Sequence, residues 1–600
     1  MPVVVLPDIP LRPSLVDEIV KYAGKVLFRH PSGSPWIIGD DSRRIVHAGN
    51  SDIDVILIGN SAAELTAGDL SRLINGKSSV VDLDSDAARL AEGDLLFFAR
   101  ERTRMRSQAP LFLTRSLCWT TLDGVPLISD DQFAIKSIAG LRPDPAVLAS
   151  RLTDAEISHA FGLRSIWQGV HTVGPGEWLD SRGGHAPVRK VWWRPPRPDR
   201  SVGELADELR EAISGALSFR TAGHQEVSAD LSGGLDSTTL GFFLANLGIK
   251  PHTLFLASAN VANNDYRWAD RAASELGADH RSVPYSSVIP YLLNERTGTV
   301  DTAPEGPGIA NATLASIPMI EEIMGDTGTT LHLNGHAGDA LFGSVSTMLW
   351  SLFHSREKKR YRRTWQFRVL NRYPLGQTIR MVTRNGSYLG DLRRLARHDF
   401  GSRDDGIAGY SRLVPLPKVH PALTGTAHEH LRRLAAEAAG EERRQLSDDR
   451  TVHQILDYLV VHGNVVRRMN QAATPGAGIA FDSPYLDRRI AEISLSLRIG
   501  ERSHQYPAKP LLAAARPPEM SLDYFTRPDK GDYTAEVFAQ HQAVKPVLRQ
   551  LFAGGSALED LDLVSAERVL RLVDEYTTSG TSYTDLDNIV IAERWLRSVR

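Results

Sequence analysis

Glu226-Val-Ser-Ala-Asp-Leu-Ser-Gly-Gly-Leu-Asp-Ser-Thr-Thr-Leu-Gly-Phe-Phe-Leu244 is the stretch that decides the fold. A short strand-like run reaches Leu231, a Ser-Gly-Gly-x-Asp-Ser loop follows, and a helical pattern opens at Thr238. Adjacent glycines, Gly233 and Gly234, let the backbone turn sharply and approach an anion closely. Ser232 and Ser237 add hydroxyl donors, and a helix start aims its unpaired N–H groups and positive dipole end at the same point. The stretch therefore reads as a phosphate cradle. Asp236 belongs beside phosphates if it holds Mg²⁺ against them. The G-x-x-x-x-G-K-[ST] pattern is absent, and no lysine lies in the loop to reach terminal phosphates. The cradle suits pyrophosphate, with attack at the α-phosphorus.

Outward from the loop the pattern alternates. His252–Leu256 reads as a second strand, Tyr266–Leu276 as a helix and Thr330–Leu333 as a later strand. That alternation predicts a parallel sheet covered by helices, with ligands at the carboxyl ends of the strands. Ser232 and Asn334 both follow such ends. Upstream, Ser201–Ser218 has helical apolar spacing, and Arg194-Pro-Pro-Arg-Pro-Asp199 is a stiff linker by composition. The first third reads as short strands and hairpins, including Asp54–Ile58, Leu95–Phe98 and a hairpin over 117–128 turning at Asp123-Gly124. From Ser344 onward the chain reads as mostly helical.

Six hundred residues, 42% of them hydrophobic, suffice for two or more domains. A net charge of −3 gives no global argument for nucleic acid or membrane. The first residues lack the basic and long apolar runs of a secretory signal, and no apolar stretch reaches the roughly 20 residues of a membrane span. The single cysteine, Cys118, excludes an internal disulfide and fits a cytoplasmic location. One local feature stands out. Arg356, Lys358, Lys359, Arg360, Arg362, Arg363, Arg368 and Arg372 cluster, with Trp365 and Phe367 interleaved. They read either as a solvated helix face or as a docking surface for an acidic or peptide partner.

The Ser-Gly-Gly-x-Asp-Ser loop resembles the signature of the ATP-pyrophosphatase superfamily. Further segments resemble its asparagine-synthetase-like branch: Trp167–Glu177, Asn334–Gly343, Phe481–Asp487 after Arg467–Gln471, Lys509–Leu512 and Arg527–Lys530. The resemblance implies an N-terminal class II glutaminase-like αβ domain of the Ntn type over residues 1–198. It implies a synthetase domain over 199–600, an ATP-pyrophosphatase parallel α/β sheet with a helical C-terminal part. ATP and Mg²⁺ are the implied cofactors. Ser232, Gly233, Gly234, Asp236 and Ser237 would hold pyrophosphate, with Gly335 beside them; Asp236 and Asp339 would hold the metal. Lys509 would contact the leaving phosphate, Lys530 the tetrahedral oxyanion, and Leu231 and Leu256 the adenine pocket. Asp301 falls where the branch places an acid near the nucleophile. His336 is either the base for the attacking amine or a neutral residue orienting the loop.

Two departures refine the expectation. Glutamine-dependent members expose a cysteine at position two, where this chain has Pro2. The N-terminal domain is therefore expected to be inactive towards glutamine. The second motif, Gly335-His-Ala-Gly-Asp339, is nearest to the Gly-x-Gly-Gly-Asp form of lasso-peptide macrolactam synthetases. That group implies a precursor peptide as substrate, with a leader peptidase and a leader-binding protein as partners, and neither nucleic acid nor membrane. β-Lactam-synthetase-like closure of a small β-amino acid is the alternative, as is an asparagine-synthetase-type ligase using free ammonia.

Overall fold

The computed structural model describes all residues except 1, 61–64, 85–89, 91, 294–303, 309–310, 401–408, 410, 442–444, 475–477, 503–506, 529 and 576–582. Two compact units emerge, one from Met1–Asp144 and Leu163–Arg194, the other from Pro145–Gly162 and Pro195–Arg600. The first unit ends at Arg194, where the proline-rich segment begins. The expected single boundary at 198 misses the excursion at 145–162, which packs with the second unit.

The first unit holds two antiparallel six-stranded sheets. Strands β1 (Val4–Val5), β2 (Lys25–Arg29), β3 (Pro35–Gly39), β4 (Ile45–Gly49), β5 (Asp54–Ile58) and β6 (Leu96–Glu101) are followed by β7 (Arg104–Gln108), β8 (Cys118–Leu122), β9 (Val125–Ser129), β10 (His171–Thr172), β11 (Glu177–Arg182) and β12 (Val188–Val191). The sheet orders are β10-β8-β9-β1-β3-β2 and β12-β11-β7-β6-β5-β4. The β8–β9 hairpin turns at Asp123 and Gly124, both with positive φ (51° and 81°), the backbone that a two-residue Asp-Gly turn requires. Cys118 is fully buried, and its thiol lies 3.2 Å from the carbonyl oxygen of Ser129.

The second unit is built on β13 (Val227–Asp230), β14 (His252–Ala257), β15 (Asp279–Pro284), β16 (Leu331–Leu333) and β17 (Ala480–Asp482). Every pair is parallel, in the order β15-β14-β13-β16-β17. Strand order reverses between β13 and β16. The carboxyl ends of those two strands therefore open a crevice, the usual ligand position in such sheets. A layer of helices, Val202–Thr221, Leu235–Asn246 and Pro510–Ala515, packs together. Leu254 and Phe481 join a core with Ile317, Ile320, Val465 and Met469 from helices Asn311–Met324 and Arg450–Ala472.

Local chemistry fixes these helix starts. Ser201 and Glu204 form a reciprocal capping box before Val202–Thr221. Asp449 accepts from the N–H groups of Thr451 (2.8 Å) and Val452 (3.1 Å) to start Arg450–Ala472. Among the described residues no helix is long and apolar enough to cross a membrane.

Candidate functional site

The glycine-rich loop leaves β13 and enters helix Leu235–Asn246, three residues earlier than the apolar pattern suggests. The polar Asp236 and Ser237 hide the start in the sequence, yet they form its first turn and so lie where the helix dipole is strongest. Gly233 has φ +69°, and a methyl group there would meet the Asp265 carbonyl oxygen at 2.4 Å. Glycine is needed on both counts. Ser232 and Ser237 face one another, Oγ to Oγ 3.0 Å apart, and the Ser232 N–H donates to Ser237 Oγ at 3.2 Å. Arg527 ties the loop down from 294 residues away, donating to the Gly233 carbonyl at 2.9 Å and pairing with Asp265 at 3.0 Å.

The second motif follows β16. Asn334 takes its place through its N–H to the Asp482 carbonyl (3.1 Å), and its side-chain oxygen accepts from the His336 N–H (3.1 Å). Ala337 is left-handed, φ +71°, which turns the chain so that Gly338 begins a short helix carrying Asp339. The motif presses on the first loop. A methyl group at Gly335 would come within 3.0 Å of the Ser237 nitrogen, and one at Gly338 within 2.3 Å of the Asp236 carboxylate carbon.

Lys509 joins the two acids. Its ammonium donates to both Asp236 oxygens (2.7 and 2.6 Å) and pairs with Asp339 at 2.6 Å. Lys509 is only 10% exposed, whereas Lys530, 3.8 Å from Asp339, is 73% exposed. Burial raises the Asp236 carboxyl above its ordinary value, against the pull of Lys509. Burial alone would lower Lys509, but Asp236 and Asp339 outweigh it and raise the ammonium. Asp339, whose side chain is 70% exposed, is held below its ordinary value by Lys509 and Lys530 against a partial loss of solvent. The two carboxylates meet at one cation, and oxygen donors of that kind suit Mg²⁺; the donor set fits the metal.

His336 is depressed by burial, against a weak pull from Asp230. Its ring lies 5.6 Å from that of His462, itself lowered to about 4 by burial and by His336. Leu231 is fully buried and donates its N–H to the Leu254 carbonyl at 2.8 Å. Leu256, at the end of β14, is partly buried against the core. Asp301 lies outside the described residues.

Three participants lay outside the sequence expectations. Tyr485 donates its hydroxyl to the Asp236 carbonyl at 3.0 Å, Arg527 anchors the loop, and His462 reaches the second motif from helix Arg450–Ala472. Tyr485 and Arg527 sit within the quoted 481–487 and 527–530 segments, so the signal was present; His462 had none.

A second titratable group, His159, His453 and Asp457, is closed rather than open to a ligand. His159 Nδ1 meets Asp457 at 2.7 Å and its Nε2 meets the Tyr388 hydroxyl at 3.1 Å. His453 accepts the Leu446 N–H (3.2 Å) on one nitrogen and meets the Leu413 carbonyl (3.0 Å) with the other. This network fastens the 145–162 excursion to helix Arg450–Ala472.

A parallel sheet with a glycine-rich loop and two acids at its switch point defines an anion-binding α/β domain. Residues 208–597 match the asparagine synthase family, and the chain belongs to that family. A stretch of 201 residues is 28% identical to Amidase chyE of Penicillium rubens, covering 32% of this chain and 28% of that protein. The chain therefore spans well under half of that curated relative. Two of the solved structures it resembles are glutamine phosphoribosylpyrophosphate amidotransferase from B. subtilis complexed with ADP and GMP, and NMN synthetase from Francisella tularensis. The first is 12% identical with a TM-score of 0.22, covering 42% of this chain and 65% of that one. The second is 12% identical with a TM-score of 0.18, covering 42% of this chain and all of that one.

Proposed function

We propose that the chain is an ATP-dependent, AMP-forming amide ligase that closes a macrolactam within a lasso-type peptide. The observation that carries the ligase reading is the meeting of Asp236, Asp339 and Lys509 beside the Ser232–Ser237 loop at the β13/β16 crevice. Family membership supports the same chemistry. The narrower peptide reading is supported by the Gly335–Asp339 form and by the state of the first unit. That unit reads as a degenerate Ntn-type glutaminase-like domain, since its one thiol, Cys118, is buried within a strand pair and is no candidate nucleophile.

In this reading an Asp or Glu side-chain carboxylate of the peptide attacks the α-phosphorus of ATP. The bond to the β-phosphate breaks and pyrophosphate leaves into the loop, where Ser232, Ser237 and the N–H groups around Gly233 and Gly234 receive it. Asp236 and Asp339 would hold Mg²⁺, which supplies neutralisation of the phosphate charge. Lys509, already beside both acids, follows the leaving phosphate. The peptide's N-terminal amine then attacks the acyl-adenylate carbonyl, forming the C–N bond, and AMP departs. Lys530 stabilises the oxyanion of that step; a cation or donor so placed commonly contributes about 3–4 kcal/mol. The amine, with a reference pKa near ~8, must lose a proton. His336, kept neutral by burial, is the group proposed to take it.

The test is pyrophosphate release with three sets of acceptors: candidate precursor peptides, aspartate with glutamine or ammonia, and small β-amino acids. The peptide reading requires release only with peptide, and a product lighter by one water. Release with aspartate and ammonia would replace it by asparagine formation, and release with the β-amino acid by β-lactam closure.

A further inference from the structure

Between Arg356 and Arg384 the chain carries ten arginines and lysines but one acid, Glu357, which is paired with Arg363. The segment folds into helices Arg360–Leu370 and Leu375–Thr383. Tyr361, Trp365 and Val369 recur every fourth residue, so they form one stripe on the first helix. They are 58%, 56% and 55% exposed. Leu370, Leu375, Ile379 and Leu389 are exposed as well. Seven of the fifteen large hydrophobic side chains left exposed among the described residues thus fall within 29 positions. A concavity of about 410 Å³ lies beside the stripe, lined by Leu352, Phe367, Val369, Leu370 and Ile499 among others. The aromatic rings also carry stacked cations: Arg360 sits 4.6 Å over Tyr361 and Arg368 4.6 Å over Trp365.

We propose that this surface docks an acidic, amphipathic peptide segment, its bulky apolar side chains entering the Phe367–Leu370 concavity and its carboxylates meeting the surrounding arginines. Contiguous exposed apolar area marks an interaction site, and a one-sign charge field selects the opposite sign. A concavity walled by Leu352, Phe367, Val369, Leu370 and Ile499, with Arg363 and Trp365 at its edge, suits helix-in-groove recognition of an acidic segment. Single-stranded nucleic acid would call for a longer run of stacking rings, whereas after Tyr361 and Trp365 the exposed apolar side chains Val369, Leu370, Leu375 and Ile379 are aliphatic. The docking surface stands apart from the ligase reading and does not depend on it.

The experiment is fluorescence anisotropy on the full chain without ATP, so that its outcome says nothing of the ligase chemistry. The probe is a labelled synthetic helix of Glu and Leu, about 18 residues or five turns long; the comparison probes are a Lys/Leu helix of the same spacing, oligo-uridine RNA and phosphatidylserine vesicles. The Glu/Leu peptide is expected to bind best, to weaken with salt, and to lose about tenfold or more in affinity with Trp365→Ser or with Arg362→Glu. Equal affinity in those variants overturns the proposal, as does tighter binding of any comparison probe. Should Trp365→Ser unfold, Leu375→Ser with Ile379→Ser decides the matter by the same criterion.

Discussion

Gly338 lies against Asp236 so closely that a methyl group at position 338 would fall 2.3 Å from the carboxylate carbon. The second motif can reach the phosphate loop only because that side chain is missing. Gly338→Ala is therefore predicted to push Asp339 away from Asp236. An ångström of displacement at such a site commonly costs about 10²-fold in rate. ATP–pyrophosphate exchange should fall by that factor or more, while the circular dichroism spectrum stays that of the parent. Parental exchange in Gly338→Ala would show that the two acids need not meet.

The two lysines should separate by their surroundings. Lys530 is mostly exposed, so Lys530→Met should leave the melting temperature unchanged and lower turnover by about 10²–10³-fold, the usual effect of losing one oxyanion donor. Lys509 neutralises two acids. Lys509→Met should lower the melting temperature in chelator, since like charges are left facing each other, and Mg²⁺ should restore it by binding between them. Differential scanning fluorimetry with and without Mg²⁺ reads this directly; a variant indifferent to the ion would argue against metal binding at these carboxylates.

Burial lowers the affinity of His336 for a proton, which leaves it free to accept one at neutral pH. His336→Ala should retain exchange, because adenylation precedes the proton transfer, yet release less AMP per pyrophosphate. Rapid-quench measurement of the two products separates the steps. Equal slowing of both would make His336 a loop-orienting residue.

Much of this site was legible because its chemistry is local. The loop, its helix and the neighbouring strands carry their signals within a few residues, and the two motif acids follow strand ends. The start of helix Leu235–Asn246 was placed late since Leu235-Asp-Ser lacks apolar periodicity, although the backbone there is already helical. Tyr485 and Arg527 reach the loop across 249 and 294 residues, a distance at which no spacing rule operates. The 145–162 excursion was hidden for a related reason: what assigns it is the His159–Asp457 contact, formed across 298 residues, rather than any change in composition.

Glu305 supplies a pH prediction away from the loop. Burial alone would raise its carboxyl, but Arg467, bonded to it at 2.7 and 2.8 Å, holds it at about 2. A carboxyl depressed in the folded state stabilises above its unfolded value and loses that contribution as pH falls through the folded one. Stability should therefore decline between the ordinary glutamate value of 4.5 and about 2. Glu305→Ala removes the carboxylate that pairs with buried Arg467 and accepts from Gln471, at a cost of about 3–5 kcal/mol. Urea unfolding at neutral and acid pH checks both, and the variant should show a shallower acid decline than the parent.

The central claim is that one crevice brings together nucleotide, divalent ion and an activated acyl group. Its most direct test is the exchange of labelled pyrophosphate into ATP by the purified chain, with Mg²⁺ and a peptide bearing the acceptor carboxylate, beside Asp236→Ala. Exchange should require the peptide and the metal and should vanish in Asp236→Ala. Full exchange in that variant, or none in the parent with any carboxylate offered, would contradict it.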